Sequence, residues 1–400
     1  MPDPNSCLVP TRSAALDRLA RFAPLAGRQY AAGRNTDPGP GEPGAVSRLS
    51  PYVRYRLITE RETVATVLAE HGPSGAEKYV QEVLWRTYWK GWLELRPAVW
   101  SRFLEERDRQ IGRFADARAI AAAENGATGI DGFDDWAREL VATGYLHNHA
   151  RMWFASIWIF TLRLPWALGA GFFLRHLLDA DAASNTLSWR WVAGLQTAGK
   201  TYLATTENIA RYTNGRFAPV GLAQEAVALT EPPVGPERSL PAPVAPVPGE
   251  RSLLLVTHED LHPESVLSDE VPIKAAIVTA DADLLWGDKA RAFVASAAED
   301  TAARVTARFS CPTKISDRLD AATLAAAAHA AGVRQIVTPY APVGPLADRL
   351  ADIAPILARE GVVLAQTRRQ WDAQFWPHAQ KGFFAFRKRI PDLLREEGLS

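Results

Sequence analysis

Apolar residues recur at three- and four-residue spacing through most of the first 220 positions. Such spacing is typical of helices with one buried face, and strand-like alternation is rare in this part. Thr59 and Glu62 add a capping-box pattern, and Gly144 is a typical helix stop. The pattern predicts helices over residues 11–21, 60–70, 76–95 and 135–143.

Residues 143–191 are mostly apolar and rich in tryptophan, with a few polar groups and one Asp-x-Asp. The run over 152–178 has the length of a membrane span, but two arginines, a proline and a histidine interrupt it. A membrane helix needs about 18 or more uncharged apolar residues, so we expect buried helices instead. A helical segment of this kind predicts the wall of a largely apolar cofactor pocket.

Seven of the seventeen residues over 232–248 are proline. Proline at this density is incompatible with a helix or a central strand and predicts a semi-extended linker. The linker divides the chain into a helical domain over 1–225, a linker over 226–250 and a third part over 251–400.

After the linker, short apolar runs alternate with helical patterns, which predicts a parallel sheet covered by helices. The fold class is therefore α followed by α/β, with a Rossmann-like second domain. No Gly-x-Gly-x-x-Gly follows the first run, so a dinucleotide-binding turn has no support there. The expected strands are 253–256, 275–278, 335–338 and 362–365, and the expected helices are 289–303, 321–331 and 345–360.

Composition adds little to this division. The 400 residues have no net charge, and the first 220 carry 26 basic and 22 acidic side chains, a weak hint of nucleic-acid binding. Cys7 and Cys311 are far apart, which argues against a disulfide framework or a zinc site. With no signal peptide visible, we expect a cytoplasmic protein without a metal.

Four motifs carry candidate chemistry: SRLSPY (47–52), EVLWR (82–86), TGYLHNHARM (143–152) and LLDADAASNTLSWRW (177–191). In the first, Ser50 before Pro51 is a natural N-cap. The segment is therefore either a plain helix cap or a helix start whose free N–H groups bind a pyrophosphate. In the second, Glu82 and Arg86 are spaced for a surface ion pair. The aromatic residues around this motif are, without further context, typical of a hydrophobic core.

The order of these motifs, together with GRQYAAGRN (27–35), resembles the DNA photolyase and cryptochrome family over roughly residues 11–220. The resemblance implies a helical bowl that binds FAD, with Arg151 and Asp179 paired beside the isoalloxazine ring and Asn185 facing flavin N5. The implied cofactor-binding residues are Tyr30, Ser47, Arg48, Leu49, Ser50, Arg86, Arg151, Asp179, Asp181 and Asn185.

The resemblance also implies a pocket for a flipped-out pyrimidine dimer and a tryptophan relay to the flavin. Catalytic roles fall to Asn185, Glu82, Trp189 and Trp166, the last two being the inner and middle relay members. An outer tryptophan is absent between positions 100 and 136. The implied substrate-binding residues are Trp85, Asn148, Met152 and Trp191.

The chain also departs from the family pattern. Val46 replaces a hydroxyl residue, Arg56 stands where glycine is frequent, and His149 stands where a DNA-contacting arginine is common. Residues 253–265, 332–364 and 381–394 resemble parts of the family's antenna domain and its connector, which normally precede the FAD domain. We therefore expect a circularly permuted member, and an antenna pigment stays undetermined.

These features predict light-driven, FAD-dependent repair of cyclobutane pyrimidine dimers, a deoxyribodipyrimidine photo-lyase activity. A cryptochrome-like blue-light photosensor without repair is the alternative, and a flavoprotein that has lost its light chemistry is a third. Damaged DNA is the expected partner of a monomer without membrane association. A protein partner stays undetermined.

Overall fold

A computed structural model describes residues 8–42, 44–113 and 117–399. Helices occupy the chain from residue 12 to residue 212, and a sheet with its own helices follows from residue 252. The predicted fold class is confirmed by this order. Cys7 lies outside the described residues, whereas Cys311 is buried as a free thiol.

The helical region is built from short and medium helices around the long helix α4. In the described part of the chain its elements are α1 (Arg12–Phe22), α2 (Arg28–Gly33), α3 (Ser50–Arg54), α4 (Glu60–Leu95), α5 (Ala98–Arg113), α6 (Ala117–Glu124), α7 (Phe133–Thr143), α8 (Asn148–Ser156), α9 (Trp166–His176), α10 (Ala182–Val192) and α11 (Thr206–Tyr212).

Helix α4 contains both helices that the sequence predicts over 60–70 and 76–95. Its start is the capping box: Thr59 accepts from the Glu62 backbone N–H, and the Glu62 carboxylate accepts from the Thr59 N–H at 2.8 Å. Gly72 has φ 65° and ψ 173°, so the two helices meet at a kink there, just before Pro73. Glycine tolerates this left-handed φ, which explains how two helical patterns join without a loop.

Helices α8, α9 and α10 form the apolar centre of the helical region. A π-helical turn over Ile157–Thr161 follows α8, and the rings of Phe154, Trp158, Phe173 and Trp189 contact one another behind it. All four are almost completely buried. Across the described residues, none of the helices combines the length and apolarity that crossing a membrane requires.

The sheet has five parallel strands in the order β3-β2-β1-β4-β5. The strand β3 is absent from the sequence prediction because Lys314 and Ile315 are exposed and leave no apolar run. The elements are β1 (Ser252–Val256), β2 (Ile273–Thr279), β3 (Thr313–Ser316), β4 (Gln335–Pro339) and β5 (Val363–Thr367), with α12 (Asp288–Phe309), α13 (Ala321–Ala330), α14 (Pro345–Arg359), α15 (Gln370–Phe375), α16 (Phe383–Arg387) and α17 (Ile390–Glu396).

Residues 214–251 contain neither helix nor strand and run along both parts of the molecule. The Arg238 N–H donates to the Leu95 carbonyl at 2.9 Å, and the Gln366 N–H donates to the Val244 carbonyl at 2.8 Å. Helices α15–α17 then return to the helical region, where Trp371 and Phe386 share one apolar core with α4. The predicted limits at residues 225 and 250 stay a prediction.

Two arginines that follow SRLSPY reach into the α/β part. Arg54 donates to both carboxylate oxygens of Glu259, at 2.9 and 2.7 Å. Arg56 donates to both oxygens of Asp372, at 2.8 and 2.7 Å, and lies 3.4 Å from Asp260. All five side chains are at most 9% exposed. Arg56 has φ 51°, a left-handed conformation that favours glycine, so these ion pairs hold a strained backbone.

Replacing Arg56 with alanine should lower the free energy of unfolding by about 3–5 kcal/mol, because buried carboxylates lose their partner. Replacing Arg56 with glycine should cost about 1 kcal/mol less, because glycine relieves the backbone strain. Urea unfolding monitored by circular dichroism measures both. Arg291→Ala, at an exposed ion pair with Asp288, should change stability by no more than about 0.5 kcal/mol. Equal stability of wild type and Arg56→Ala would contradict this role.

Candidate functional site

The loop between α9 and α10 presents Asp179 to Arg151 of α8. The Arg151 Nη2 lies 3.1 Å from each carboxylate oxygen. Burial would raise the pKa of Asp179, but Arg151, Arg86 and a hydrogen bond from Ser50 together lower that pKa. The carboxylate is therefore ionised, and the predicted Arg151–Asp179 pair is present.

Asp181 is the N-cap of α10 and accepts from the Ser184 N–H at 2.7 Å. Its Oδ2 also lies 3.5 Å from Arg86 Nη1, 3.5 Å from Lys90 Nζ and 3.6 Å from Arg54 Nε. Burial opposes its ionisation, but the three cations lower its pKa well below the usual range. One carboxylate thus collects three positive side chains from two elements.

Helix α10 carries Asn185 and Trp189 one turn apart. The Asn185 Nδ2 donates to the Ala170 carbonyl of α9 at 2.9 Å, which fixes the orientation of the amide. The Trp189 ring meets Phe173 edge to face at 5.1 Å. Both side chains are buried, with 7% of Asn185 and 2% of Trp189 exposed.

The SRLSPY segment forms the start of α3. Leu49 occupies the N-cap and Ser50 is the first helical residue, so the prediction of Ser50 as N-cap is wrong by one position. The Ser50 hydroxyl instead bonds Asp179. Arg48 has φ 53° and its guanidinium lies 5.1 Å from the centre of the Tyr145 ring.

Tyr30 and Ser47 meet around Tyr79 of α4. The Tyr30 ring is 5.4 Å from the Tyr79 ring in an edge-to-face contact, and Ser47 bonds the Tyr79 hydroxyl. Burial raises the pKa of Tyr30 well above its ordinary value, so its hydroxyl keeps its proton. The structure therefore brings the two predicted cofactor-binding residues together through a third residue that the sequence prediction does not include.

Glu82 and Arg86 do not pair with each other. The Glu82 Oε1 lies 2.6 Å from Arg34 Nη1 of α2's C-cap, while Arg86 turns to Asp181. The predicted i, i+4 surface pair is therefore wrong, because each side chain has a nearer partner from another element. Burial raises the pKa of Glu82 although Arg34 opposes this effect.

The four residues expected to bind substrate have different surroundings. Trp85 stacks on Phe383 of α16 with ring centres 3.6 Å apart, and Trp191 stacks on Tyr202 at 5.7 Å. Asn148, the first residue of α8, is exposed, and Met152 one turn later is half-buried. Both tryptophan rings are thus partly covered by side chains of this chain.

A row of aromatic rings leads from Trp166 to the α/β part. Trp166 contacts Phe103 at 5.7 Å, Phe103 contacts Trp100 at 5.5 Å, and Trp100 contacts Trp286 at 5.7 Å. Trp286 is half-buried and carries Arg107 over its ring. The row thus ends at a partly exposed ring, Trp286, although the chain has no tryptophan between positions 100 and 136.

Three charged residues of the site are absent from the sequence prediction: Arg54, Lys90 and Glu259. No local pattern marks them, because their partners lie 91 to 205 positions away in the chain. Lys90 follows Arg86 by four positions, so helical spacing from the EVLWR motif is the one signal that points to it.

The chemistry of this site fits FAD. The side chains of Arg48 and Arg86 together with the hydroxyls of Ser47 and Ser50 suit a pyrophosphate, and Asp179 and Asp181 suit the polar edge of a flavin. Ser184 Oγ and Trp189 Nε1 are buried without a hydrogen-bond partner among the described residues. Such atoms are rare unless a ligand or water satisfies them.

Comparison with known proteins agrees with this chemistry. Residues 79–216 match the family model described as the FAD binding domain of DNA photolyase. The matched segment includes α8, α10 and the Asp-x-Asp loop. Over these residues the chain is similar to the FAD-binding domain of the DNA photolyases, which agrees with FAD as the group that the site fits.

Two relatives show the extent of the similarity. A deoxyribodipyrimidine photo-lyase of Streptomyces griseus is 38% identical over 154 residues, which are 38% of this chain and 33% of that protein. One of Thermus thermophilus is 36% identical over 186 residues, 46% of this chain and 43% of that protein. The chain thus matches less than half the length of these relatives.

Solved structures include a class III photolyase from Agrobacterium tumefaciens, with a TM-score of 0.44 and 26% identity over 51% of this chain and 43% of that one. A cryptochrome from Synechocystis has a TM-score of 0.43 and 23% identity over the same shares. The permuted order of the two halves stays a prediction.

Gly169 of α9 makes room for the rings of the site. A Cβ on Gly169 would lie 2.3 Å from Trp189 Cη2 and 2.9 Å from Trp158 Cε2. Gly169→Ala should therefore destabilise the protein by about 1–3 kcal/mol in urea unfolding, because the indoles must shift. Gly112→Ala in α5 is the control: a Cβ there meets open space and should add about 0.5–1 kcal/mol. Equal effects of the two substitutions would contradict the close packing at Trp189.

Proposed function

We propose that this chain is a light-driven, FAD-dependent photolyase that splits cyclobutane pyrimidine dimers in DNA. The observation that carries the proposal is the cradle of Arg151–Asp179, Asp181 and Asn185 within the matched FAD-binding domain. When bound, FAD supplies the absorption of light and the electron that the reaction needs.

The residues of the cradle bind and orient the cofactor. Asp179 and Asp181 are held ionised and would accept hydrogen bonds from the polar edge of the flavin. Asn185, with its Nδ2 on the Ala170 carbonyl, offers its amide oxygen as a neutral acceptor. Ser47 to Ser50 and Tyr30 serve the phosphates and the ribityl chain.

Glu82, Trp85, Asn148, Met152 and Trp191 bind the flipped-out dimer. Burial raises the pKa of Glu82, while the ion pair with Arg34 at 2.6 Å opposes this effect. The Glu82 side chain forms a hydrogen bond with the edge of a base. Phe383 covers one face of Trp85, and Tyr202 covers one face of Trp191. The opposite face of each indole ring stacks on a base.

Trp189 and Trp166 supply electrons to the flavin, and the row through Phe103, Trp100 and Trp286 extends this supply toward the surface. The supporting observation is the series of ring contacts at 5.5 to 5.7 Å. Trp286 then takes the outer position that the sequence leaves empty.

Residues 381–389 support DNA as the partner. They contain Lys381, Arg387, Lys388 and Arg389 and no acidic residue, and these four side chains are exposed. Phe384 in their midst is 75% exposed. Its neighbour Phe383 stacks on Trp85, so the basic segment borders the proposed dimer site. Exposed cations beside an exposed aromatic ring suit phosphates and unstacked bases.

Light should drive loss of a cyclobutane pyrimidine dimer from an oligonucleotide when the protein's FAD is chemically reduced first. Chromatography of the illuminated and dark samples measures this loss. Asn185→Ala should slow it at least tenfold, because the flavin loses a fixed acceptor. Asn125→Ala removes an exposed amide outside the site and should leave the rate unchanged.

Absence of repair by a wild-type protein with bound FAD would contradict the photolyase proposal. It would favour the second candidate, a cryptochrome-like photosensor. One observation favours that candidate: His149 stacks on Trp153 at 5.1 Å and bonds the Asn35 carbonyl, so it is packed rather than directed toward DNA. A light-dependent flavin redox change without repair would then be expected.

Lys388→Gln should weaken binding of a dimer-containing duplex and reduce the slope of log K against log salt by about 0.9, if Lys388 contacts one phosphate. Fluorescence anisotropy between roughly 50 and 200 mM salt measures the slope. Lys314→Gln, at the exposed edge strand β3, is the matched control. Identical slopes for the two variants would exclude a phosphate contact of Lys388.

A further inference from the structure

The crevice outside the carboxyl ends of β1 and β4 is almost filled by side chains. Strand β1 lies between β2 and β4, so the strand order reverses there, and ligands of such sheets bind outside the carboxyl ends at this point. The remaining cavity measures about 10 Å³ between Lys90, Asp181, Glu259 and Val343. One water needs roughly 10–15 Å³. The crevice therefore has no room for an organic ligand.

Glu259 follows β1 and occupies that crevice with its carboxylate. Arg54 binds both of its oxygens, and Lys90 Nζ lies 3.4 Å from Oε2. Burial would raise the pKa of Glu259, but Arg54, Lys90 and His258 lower it to about 2. Glu259 is therefore a fixed negative charge that the α/β part directs into the helical part.

The partners of Glu259 are also partners of the proposed flavin cradle. Lys90 lies 3.4 Å from Glu259 and 3.5 Å from Asp181. Arg54 approaches Asp181 to 3.6 Å and donates to the Ala180 carbonyl at 2.6 Å, within the Asp-x-Asp itself. Two cations thus bridge one carboxylate of each part, so a change at Glu259 is transmitted to Asp181.

The balance of charge gives this link a direction. His258, 3.8 Å from Glu259, has a pKa lowered to about 4 by burial and is neutral at pH 7. Removing the charge of Glu259 would double the excess of cations over anions around the cradle. Four cations and three carboxylates meet there: Arg54, Arg86, Lys90 and Arg151 with Asp179, Asp181 and Glu259.

We propose that Glu259 is a positioning residue for the flavin site, through which the α/β part sets the reduction potential of FAD bound in the helical part. The inference rests on the proposed FAD site. Glu259 touches no reacting atom: it holds Arg54 and Lys90 and offsets their charge beside Asp181. The negative charge of Glu259 would oppose the negative charge that a bound flavin gains when an external reductant delivers two electrons and one proton.

The test is the midpoint potential of protein-bound FAD, measured by dye equilibration with dithionite as the reductant. Glu259→Gln should raise the potential, because the local charge becomes more positive. The ratio of affinities for reduced and oxidised FAD should increase about tenfold, which is about 30 mV for a two-electron couple. Glu259→Asp keeps the charge and should stay near the wild-type potential.

Asp260→Asn is the matched control. Asp260 is the next residue, equally buried, and pairs with Arg369 and Arg56 rather than with the partners of Asp181. The Asp260→Asn substitution should destabilise the interface about as much as Glu259→Gln does. It should leave the ratio of affinities for reduced and oxidised FAD within about twofold of the wild-type ratio. Equal shifts for Glu259→Gln and Asp260→Asn, or no shift in either, would overturn the assignment of Glu259.

Lys90→Gln gives a second test, with the opposite sign, that does not require Glu259→Gln to fold. Loss of this cation should lower the potential, and a rise or no change would overturn the proposal. The absorbance of the purified wild-type protein shows whether FAD is bound, and this distinguishes a failure of the proposed function from a failure of the role of Glu259. A protein without FAD binding would refute the proposed function itself, whereas bound FAD with an unaltered potential in the variants would refute only the role of Glu259.

Discussion

Two arginines separated by one residue hold the two parts of this molecule together. Arg54 and Arg56 meet Glu259 and Asp260, which are consecutive residues behind the central strand. Buried charges are unfavourable unless each has a partner with good geometry. A shift of one part against the other would separate both pairs at once. The ion pairs therefore fix the relative position of the helical and α/β parts more strictly than an apolar contact would.

The same short segment carries residues of the proposed flavin cradle and residues of the interface. Ser47 to Ser50 precede α3, and Arg54 and Arg56 follow within two turns. A ligand that orders the first half of the segment would also restrict the second. Binding of the proposed cofactor and docking of the α/β part would then be linked equilibria, in which each stabilises the other.

The sequence predicts what depends on local spacing. The helices predicted at α1, α4, α7, α12, α13 and α14 and four of the five strands follow from periodicity, and the structure contains them. The Arg151–Asp179 pair is what the family resemblance implies, and the structure contains it as well. The sequence does not predict β3, whose side chains are exposed, or the partners of Glu82 and Arg86. Ion pairs such as Arg54–Glu259 join residues 205 positions apart. Their partners are decided by tertiary packing, for which a single sequence carries no pairing signal.

The proline-rich linker has a consequence for the behaviour of the sheet in solution. Strand β5 is an edge strand, and such edges recruit strands of other molecules into aggregates. The Gln366 N–H on this edge is already bonded to the Val244 carbonyl of the linker. Proline donates no backbone hydrogen bond and cannot extend the ladder further. The linker thus occupies one donor of the edge while offering no new template, so its removal would leave that donor free to pair with another strand.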